Sequence, residues 1–264
     1  MLAVIILSGG ESRRMGQPKA LVPFPEGFLS SDAKQIEGRP AAQAKSEPRL
    51  APAKTNEATT ASLKAGATTS ETMATGTELK TQEVADSAPG GTAEKPKTFL
   101  EHLMEVTQHP RAEILRVVVG AHAEEIHARV KLDEGVMIVN KKWQRGQLSS
   151  LQAAIRSLPE GETEGMLVCL VDHPLISAEV VARVIGEFDK TKNKIVIPTY
   201  RGKRGHPVIF PSAMYAELLA APENVGARAV VQAHAADVLE VPVEEEGVVL
   251  NLNDPDALGH ALRR

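Results

Sequence analysis

A short loop near the start of the chain combines the residue types that bind phosphate groups. The segment Leu7-Ser-Gly-Gly-Glu-Ser-Arg-Arg-Met-Gly-Gln-Pro-Lys-Ala-Leu21 holds three glycines, two arginines and one lysine. Glycines let backbone N–H groups approach anionic oxygens, and Arg13, Arg14 and Lys19 add positive charge. The spacing is neither that of the P-loop nor that of the GxGxxG dinucleotide fingerprint. The residues alone leave two interpretations open: a phosphate site, or a glycine turn with solvated basic side chains.

The same loop resembles the signature of the MobA-like NTP transferases, which include the molybdenum cofactor guanylyl- and cytidylyltransferases. Their pattern is L-A-[GA]-G-x-S-x-R-M-G-x-x-K-x-L, and Ser8 stands where alanine is usual. The matching positions are Gly9, Gly10, Ser12, Arg14, Met15, Gly16, Lys19 and Leu21. The resemblance implies that Leu7, Ser8, Gly9 and Gly10 bind a nucleoside triphosphate. It further implies that Arg14 and Lys19 hold the phosphates and stabilise charge on the transferring group, whereas Arg13 falls at a variable position.

Asp172 follows an apolar run, Met166 to Val171, and the sequence Asp172-His173-Pro174 resembles the D-x-P motif that carries the catalytic metal in this family. A carboxylate just beyond a strand is held at the edge of the sheet, and Mg²⁺ prefers such oxygen ligands while it bridges phosphates. We therefore expect Asp172 to be catalytic and to bind Mg²⁺. The alternative, a helix-capping role, is weaker because Ser177 is better placed to cap the next helix.

The segment Trp143 to Leu151 resembles the G-[ML]-x-x-S-[LI] element that leads into a helix and lines the nucleotide pocket in this family. Gly146 and Ser150 are the matched positions. With Ser149, they are predicted to bind the nucleotide, and an ordinary N-cap role for Ser149 is the alternative.

Two histidines are predicted on the acceptor side of the cleft. The sequence Gly205-His206-Pro207 resembles the G-H-P motif of the cytidylyltransferase branch. His173 falls at a variable position, so we expect it either to contact the acceptor or to face solvent. Three basic neighbours suit a phosphorylated acceptor, or are simply solvated: Arg201, Lys203 and Arg204.

The segment Asn251-Leu-Asn-Asp-Pro-Asp256 resembles the N-[IV]-N-T-P-E-D element that ends these proteins. The resemblance implies that Asn251 and Asn253 complete the metal site or orient the phosphates. Asp254 stands where threonine is usual and is expected to cap the final helix. Because an amide oxygen binds Mg²⁺ more weakly than a carboxylate, Asp172 remains the main predicted anchor.

Alternating strands and helices must position these residues. Short β-branched apolar runs predict strands at 2–7, 114–119, 136–139, 166–171 and 194–197, with helices at 99–108, 123–131, 150–158 and 178–189. This order predicts a three-layer α/β/α, Rossmann-like fold with a mostly parallel sheet. The family resemblance implies the same fold, that of the nucleotide-diphospho-sugar transferases. Ligands of such sheets bind beyond the carboxyl ends of strands, so chemistry is expected in the loops after Leu7, Val171 and Leu250.

The pattern weakens after Tyr200. It predicts a hairpin turn at 201–205, an edge or antiparallel strand at 206–210, helices at 213–220 and 226–233, and strands at 239–243 and 248–250.

A segment of different composition interrupts this pattern from Ser30 to Pro96. It is dominated by Ala, Thr, Lys, Glu, Pro and Gly, and no aromatic residue occurs between Phe28 and Phe99. Such a segment buries too little apolar surface to offset its ordering entropy. We therefore predict one nucleotidyltransferase domain over 1–264, interrupted by a disordered insertion at 30–96. A segment that orders on a partner is the alternative.

Composition excludes several other classes. The chain has 264 residues, a formal net charge of −4 and no concentrated basic stretch, so nucleic acid is not an expected partner. The longest apolar run, Leu2 to Leu7, is far below the roughly 20 residues of a membrane helix. The chain has one cysteine, Cys169, which cannot form an internal disulfide and which we expect to be a buried thiol. A single free cysteine suits the reducing cytoplasm, so we expect a cytoplasmic protein with no membrane partner.

These features together predict a Mg²⁺-dependent nucleotidyltransferase. An acceptor phosphate would attack the α-phosphorus of an NTP, pyrophosphate would leave, and catalysis would rest on positioning and charge neutralisation. Two signals conflict on the nucleotide: the match around His206 resembles the cytidylyl branch, whereas glycine at position 10 is commoner in the guanylyl branch. CTP and molybdopterin are favoured because the match around His206 spans more residues than the single glycine. The alternatives are GTP transfer, transfer to a sugar or polyol phosphate, and a non-catalytic carrier that delivers a nucleotide or cofactor to a recipient molybdenum enzyme.

Overall fold

The computed structural model describes residues 1–24, 96–222 and 225–261. The strands are β1 (Leu2–Ser8), β2 (Ala112–Val119), β3 (Met137–Val139), β4 (Gly165–Leu170), β5 (Ile195–Tyr200), β6 (Lys203–Arg204), β7 (Val208–Pro211) and β8 (Val238–Pro242). The α-helices are α1 (Phe99–Val106), α2 (Ala123–Arg129), α3 (Gln147–Arg156), α4 (Ala178–Thr191), α5 (Tyr215–Ala220), α6 (Ala227–Ala233) and α7 (Pro255–Ala261). Short 3-10 turns include Lys19–Leu21, Trp143–Arg145 and Glu246–Val249.

The strands form one sheet in the order β3-β2-β1-β4-β7-β5-β6, and β8 pairs with β5. Strands β3, β2, β1 and β4 are parallel to one another, and β8 is parallel to β5. Strand β7 runs antiparallel to both of its neighbours, β4 and β5. Leu7 pairs with Val118 on one side and with Leu170 on the other, so β1, β2 and β4 end at the same edge of the sheet.

Alternate residues of the central strands build two cores, one on each face of the sheet. Leu2, Val4 and Ile6 of β1 lie in one core with apolar side chains of α1 and α4. Ala3, Ile5 and Leu7 lie in the other core with apolar side chains of α3 and α5. This two-sided burial explains why β1 is apolar without interruption, and it confirms the predicted three-layer α/β fold.

Most predicted elements are confirmed, with shifted ends. Helix α3 begins at Gln147, three residues before the predicted start, and β7 is an internal antiparallel strand rather than an edge strand. The predicted strand at 248–250 is wrong, because residues Glu246–Val249 form a 3-10 turn. A Cβ atom on Gly247 would lie 1.5 Å from the carbonyl oxygen of Leu175. This long-range packing leaves no room for a side chain at position 247.

The described residues all belong to one compact unit. The predicted insertion at 30–96 lies, apart from Pro96, outside the described residues. Cys169 is fully buried, as predicted, and burial raises the pKa of its thiol to about 12. None of the described helices combines the length and the apolar composition that crossing a bilayer requires.

Candidate functional site

A cavity of about 340 Å³ opens at the carboxyl edge of the sheet, and we call it the nucleotide cavity because most of the residues predicted from the sequence to bind nucleotide line it. It lies between the loop that follows β1, the start of α3 and the loop that follows β4. Its polar and glycine lining is Ser8, Gly9, Gly10, Ser12, Lys19, Gly146, Gln147, Ser150, Asp172 and Asn251, and its apolar lining includes Leu7 and Trp143. Three loops that are far apart in sequence therefore share one site, as the parallel strand ends predict.

Close backbone packing explains the glycines in this wall. A Cβ atom on Gly9 would lie 2.8 Å from the Ser150 hydroxyl oxygen, so the loop after β1 contacts the first turn of α3 directly. A Cβ atom on Gly120 would lie 2.4 Å from the Gly9 carbonyl oxygen and 2.6 Å from Trp143 Cβ. Side chains at these positions would push the two walls of the nucleotide cavity apart.

Lys19 and Asp172 meet at one side of the nucleotide cavity. Lys19 Nζ lies 3.5 Å from Asp172 Oδ2 and also donates a hydrogen bond to Asn253 Oδ1. Asn251 Nδ2 donates to the same Asp172 Oδ2 at 3.2 Å. The Lys19 and Asp172 side chains are 14% and 24% exposed, so both are largely withdrawn from solvent. The structure thus brings together four predicted residues from three loops.

Backbone hydrogen bonds hold these loops in register. Lys19 N donates to Ser12 Oγ at 3.1 Å, which closes the loop after β1. Leu252 N donates to the Asp172 carbonyl oxygen at 2.7 Å, which fixes the segment Asn251 to Asn253 beside the end of β4. Helix capping here follows the sequence prediction, since Ser177 Oγ accepts from Val180 N at the start of α4. Asp254 Oδ1 accepts from Ala257 N at the start of α7, and this predicted cap is confirmed as well.

His173 and His206 lie against each other beyond Asp172, with ring centroids 5.0 Å apart. His173 is only 9% exposed, so the solvent-facing alternative is wrong. Burial, reinforced by the neighbouring His173 ring, lowers the pKa of His206 to about 4. Burial also lowers the pKa of His173, against the opposing effect of the Asp172 carboxylate. The Nδ1 atoms of both rings are buried without a hydrogen-bond partner among the described residues.

The start of α3 separates two predicted serines. Gly146, with φ of 98°, is the N-cap of α3, so the proposed N-cap role of Ser149 is wrong. Ser149 Oγ instead donates back to the Gly146 carbonyl oxygen at 2.7 Å. Ser150 lines the nucleotide cavity, whereas Ser149 faces away from it. The buried Asn140 holds both, since its Nδ2 donates to Ser149 Oγ at 2.9 Å and to Ser150 Oγ at 3.0 Å.

The sequence profile of the MobA-like NTP transferase domain matches residues 94–238, more than half of the chain. The chain belongs to the MobA-like NTP transferase family. This confirms the predicted family, and the family's activity makes the protein a nucleotidyltransferase. The profile match does not include the loop from Leu7 to Leu21, so the resemblance of that loop to the family signature is independent of the profile match. A comparison with curated protein sequences finds no match.

Several solved structures have the same fold as this MobA-like transferase. Rv0371c from Mycobacterium tuberculosis H37Rv is 18% identical, with a TM-score of 0.63, and the match covers 100% of this chain and 97% of that one. Molybdopterin-guanine dinucleotide biosynthesis protein A from Archaeoglobus fulgidus is 17% identical, with a TM-score of 0.55 and coverages of 98% and 96%. A manganese complex of the M. tuberculosis protein is 16% identical, with a TM-score of 0.59 and coverages of 100% and 98%. These likenesses confirm the fold.

Two of the residues predicted to bind the nucleotide do not line the nucleotide cavity, and neither do Asn253, His173 and His206. Arg14 is exposed and does not line it, and Ser149 lines a different cavity. The basic turn after β5 is exposed, and its Arg204 pairs with Glu240 at 2.8 Å. Four residues that line or support the nucleotide cavity received no individual role from the sequence: Ser12, Asn140, Trp143 and Gln147. Ser12, Trp143 and Gln147 lie within the predicted motifs, whereas Asn140 lies outside them.

The described side chains around Asp172 include few ligands for a divalent metal ion. Within residues 1–24, 96–222 and 225–261, no three histidine, cysteine or carboxylate side chains lie close enough together to hold a metal ion. Asp172 supplies one carboxylate, and the amides of Asn251 and Asn253 lie beside it. Mg²⁺ is commonly held by one or two carboxylates together with substrate phosphates and water. The residues present therefore fit a metal ion that arrives with a phosphate-bearing substrate.

Proposed function

We propose that this transferase moves CMP from CTP to the phosphate of a molybdopterin-type acceptor and releases pyrophosphate. The observation that carries the proposal is the meeting of Lys19 and Asp172 in a cavity walled by the glycine loop after β1. Lys19 Nζ would bind the phosphates and stabilise the charge that develops on the transferring group. The backbone N–H groups of Gly9 and Gly10 would orient the same phosphates.

Asp172 would hold a divalent metal ion, for which we expect Mg²⁺, with Asn251 and Asn253 orienting it or the phosphates. Such an ion, when bound, neutralises phosphate charge. The manganese complex of the M. tuberculosis protein, a structural neighbour, is consistent with a divalent ion in this fold. Gly146 and Ser150, at the start of α3, would contact the base or ribose. Arg14 is exposed, and we propose that it joins the phosphates only when nucleotide is bound.

The acceptor would lie on the far side of Asp172, against His173 and His206. A pKa of about 4 leaves His206 uncharged at neutral pH, and the lowered pKa of His173 acts in the same direction. Two neutral, largely buried rings suit an uncharged group, such as the ring system of a pterin, better than a phosphate. The preference for CTP rests on the G-H-P resemblance at His206.

Pyrophosphate release tests this proposal. The purified protein would be supplied with Mg²⁺, the molybdenum cofactor or its precursor, and CTP, GTP, ATP or UTP in turn, with Asp172→Ala as the matched blank. We expect release with CTP alone and none from Asp172→Ala. Release with GTP alone would overturn the choice of CTP and make Gly10 the better indicator. Nucleotide binding without release would point to a different acceptor or to the carrier alternative.

A further inference from the structure

A second cavity, of about 390 Å³, lies beside the nucleotide cavity, and we call it the basic cavity. Three cationic side chains line it, and no carboxylate does in the described part of the chain. It shares no lining residue with the nucleotide cavity. Its charged and polar lining is Asn140, Lys142, Arg145, Ser149, Gln152 and Arg156. This concentration of positive charge is unusual in a chain whose net charge is −4.

The polar lining of the basic cavity is buried and held in place. Asn140, Ser149 and Gln152 are 6%, 5% and 4% exposed. Gln152 Nε2 donates to the carbonyl oxygens of Leu218 at 3.0 Å and Ala221 at 3.2 Å, which ties α3 to α5. Asn140 Oδ1 accepts from Lys142 N at 2.9 Å. These buried groups use their donors within the protein, so they form a fixed floor, and the cationic side chains at the rim supply the attraction for an anion.

One segment forms the wall between the two cavities. Trp143 and Ser150 line the nucleotide cavity, whereas Lys142 and Ser149 line the basic cavity. The single NH₂ group of Asn140 donates to the hydroxyl oxygens of both serines. Ser149 Oγ in turn donates to the carbonyl oxygens of Gly146 and Lys142. One hydrogen-bond network therefore forms the wall of both cavities.

We propose that the basic cavity binds a small phosphate-bearing anion and that its occupation weakens nucleotide binding in the nucleotide cavity. Lys142 and Arg156 supply both the positive charge and the hydrogen-bond donors. A second anion across a thin wall repels a triphosphate and neutralises cations that otherwise attract it. The coupling is reciprocal, so a nucleotide weakens phosphate binding by the same factor. Only the coupling rests on the proposed function, because the anion site stands on its own lining.

Binding is tested with inorganic phosphate at constant ionic strength, by calorimetry and by the fluorescence of Trp143 in the shared wall. The test variant is Lys142→Gln/Arg156→Gln, and the matched control is Lys131→Gln/Arg183→Gln, which removes two exposed cations that line neither cavity. We expect saturable binding that is roughly ten-fold or more weaker in the test variant and unchanged in the control. Equal affinity in all three proteins, or no binding at millimolar phosphate, overturns the site.

The coupling is tested by the Kd of CTP with and without saturating phosphate. We expect phosphate to weaken CTP binding several-fold in the wild type and clearly less in Lys142→Gln/Arg156→Gln, where only direct competition remains. Equal weakening in both proteins would mean competition within one cavity and would overturn the coupling. A protein that binds phosphate at the basic cavity but no nucleotide at all would instead contradict the proposed function, so the two failures are distinguishable.

Discussion

Two charged clusters lie at opposite ends of the same strands, and they are built differently. At the carboxyl ends of β1 and β4, Lys19 and Asp172 form what we call the site cluster, with Asn251 and Asn253. At the amino ends lies the rear cluster, made of the Met1 amine, Arg111, Glu164, Asp189 and Lys192. Each cluster joins segments that are far apart in sequence.

The rear cluster satisfies its own charges. The Arg111 guanidinium donates to both oxygens of Asp189 and to both oxygens of Glu164, at 2.8 to 3.2 Å. Glu164 also accepts from Lys192 at 3.0 Å and from the Met1 amine at 3.2 Å. These hydrogen bonds, that from Arg111 above all, lower the pKa of Glu164 to about 2. The pKa of Arg111 is raised by the same carboxylates, that of Asp189 first.

The site cluster is more buried and less satisfied. Lys19 and Asp172 are 14% and 24% exposed, compared with 30% and 37% for Arg111 and Glu164, yet Lys19 has one carboxylate at 3.5 Å. Burial of charge costs free energy unless partners replace the lost water, so a buried and sparsely paired cluster lowers the stability of the folded state. The difference between the two clusters is therefore spare hydrogen-bonding capacity beside a cavity, which is present at the end of the sheet where we propose that substrate binds.

The largest expected effect is a difference in rate between variants of the two carboxylates, Asp172 in the site cluster and Glu164 in the rear cluster. We expect Asp172→Asn to lower the rate of pyrophosphate release about 1,000-fold or more, because it removes the negative charge that would hold the metal ion. The matched change Glu164→Gln should leave the rate within about two-fold, since it lies at the other end of the sheet. The measurement is steady-state kcat/KM, with thermal unfolding as a check of folding. Comparable losses in both variants would show that the site cluster has no special role.

The two lysines give a second matched pair. Lys19→Gln should lower kcat/KM about 100-fold, because it removes the cation that would stabilise the transferring phosphate. Lys192→Gln, which removes an exposed partner of Glu164, should leave kcat/KM unchanged. Kinetics with varied CTP would separate a loss in kcat from a rise in KM. If Lys19→Gln changed only thermal stability, Lys19 would be a structural partner of Asp172.

What could be predicted from the sequence was mostly local. The strand β1 could be predicted because burial on both faces leaves an unbroken apolar run. The loop after it could be singled out by its glycines and cations and by its resemblance to the family signature. Asp172 could be placed because it directly follows a strand. Their meeting could be expected only from the rule that parallel strands end at one edge of the sheet.

What could not be predicted depends on contacts between distant segments. The 3-10 turn Glu246–Val249 replaces the predicted strand because Gly247 packs against the Leu175 carbonyl oxygen, and no local pattern records that contact. Asn140 carries no motif, and its importance appears only where the end of β3 meets the start of α3. The contact between the His173 and His206 rings likewise joins residues that are far apart in the chain.

A smaller effect should appear in stability rather than in activity. Arg111→Gln leaves Glu164 and Asp189 without their bidentate partner, so we expect the free energy of unfolding to fall by about 1 to 2 kcal/mol. The control Arg183→Gln, an exposed position on α4, should change it by less than about 0.5 kcal/mol. Urea unfolding measures both. A fall in kcat/KM without a fall in stability would contradict the division between the two clusters.

The smallest expected effect is the pH dependence of the rear cluster. The pKa of Glu164 is about 2 in the folded chain, below its ordinary value of 4.5. The folded state thus holds the ionised form more strongly than the unfolded state, and the resulting stability is present above about pH 4.5 and is lost as the pH falls toward 2. The gap in unfolding free energy between wild type and Glu164→Gln should therefore be constant near neutral pH and shrink below pH 4.5. Urea titrations at several pH values measure this gap. A gap that stayed constant down to pH 3 would mean that packing of the side chain, rather than its charge, stabilises this end of the sheet.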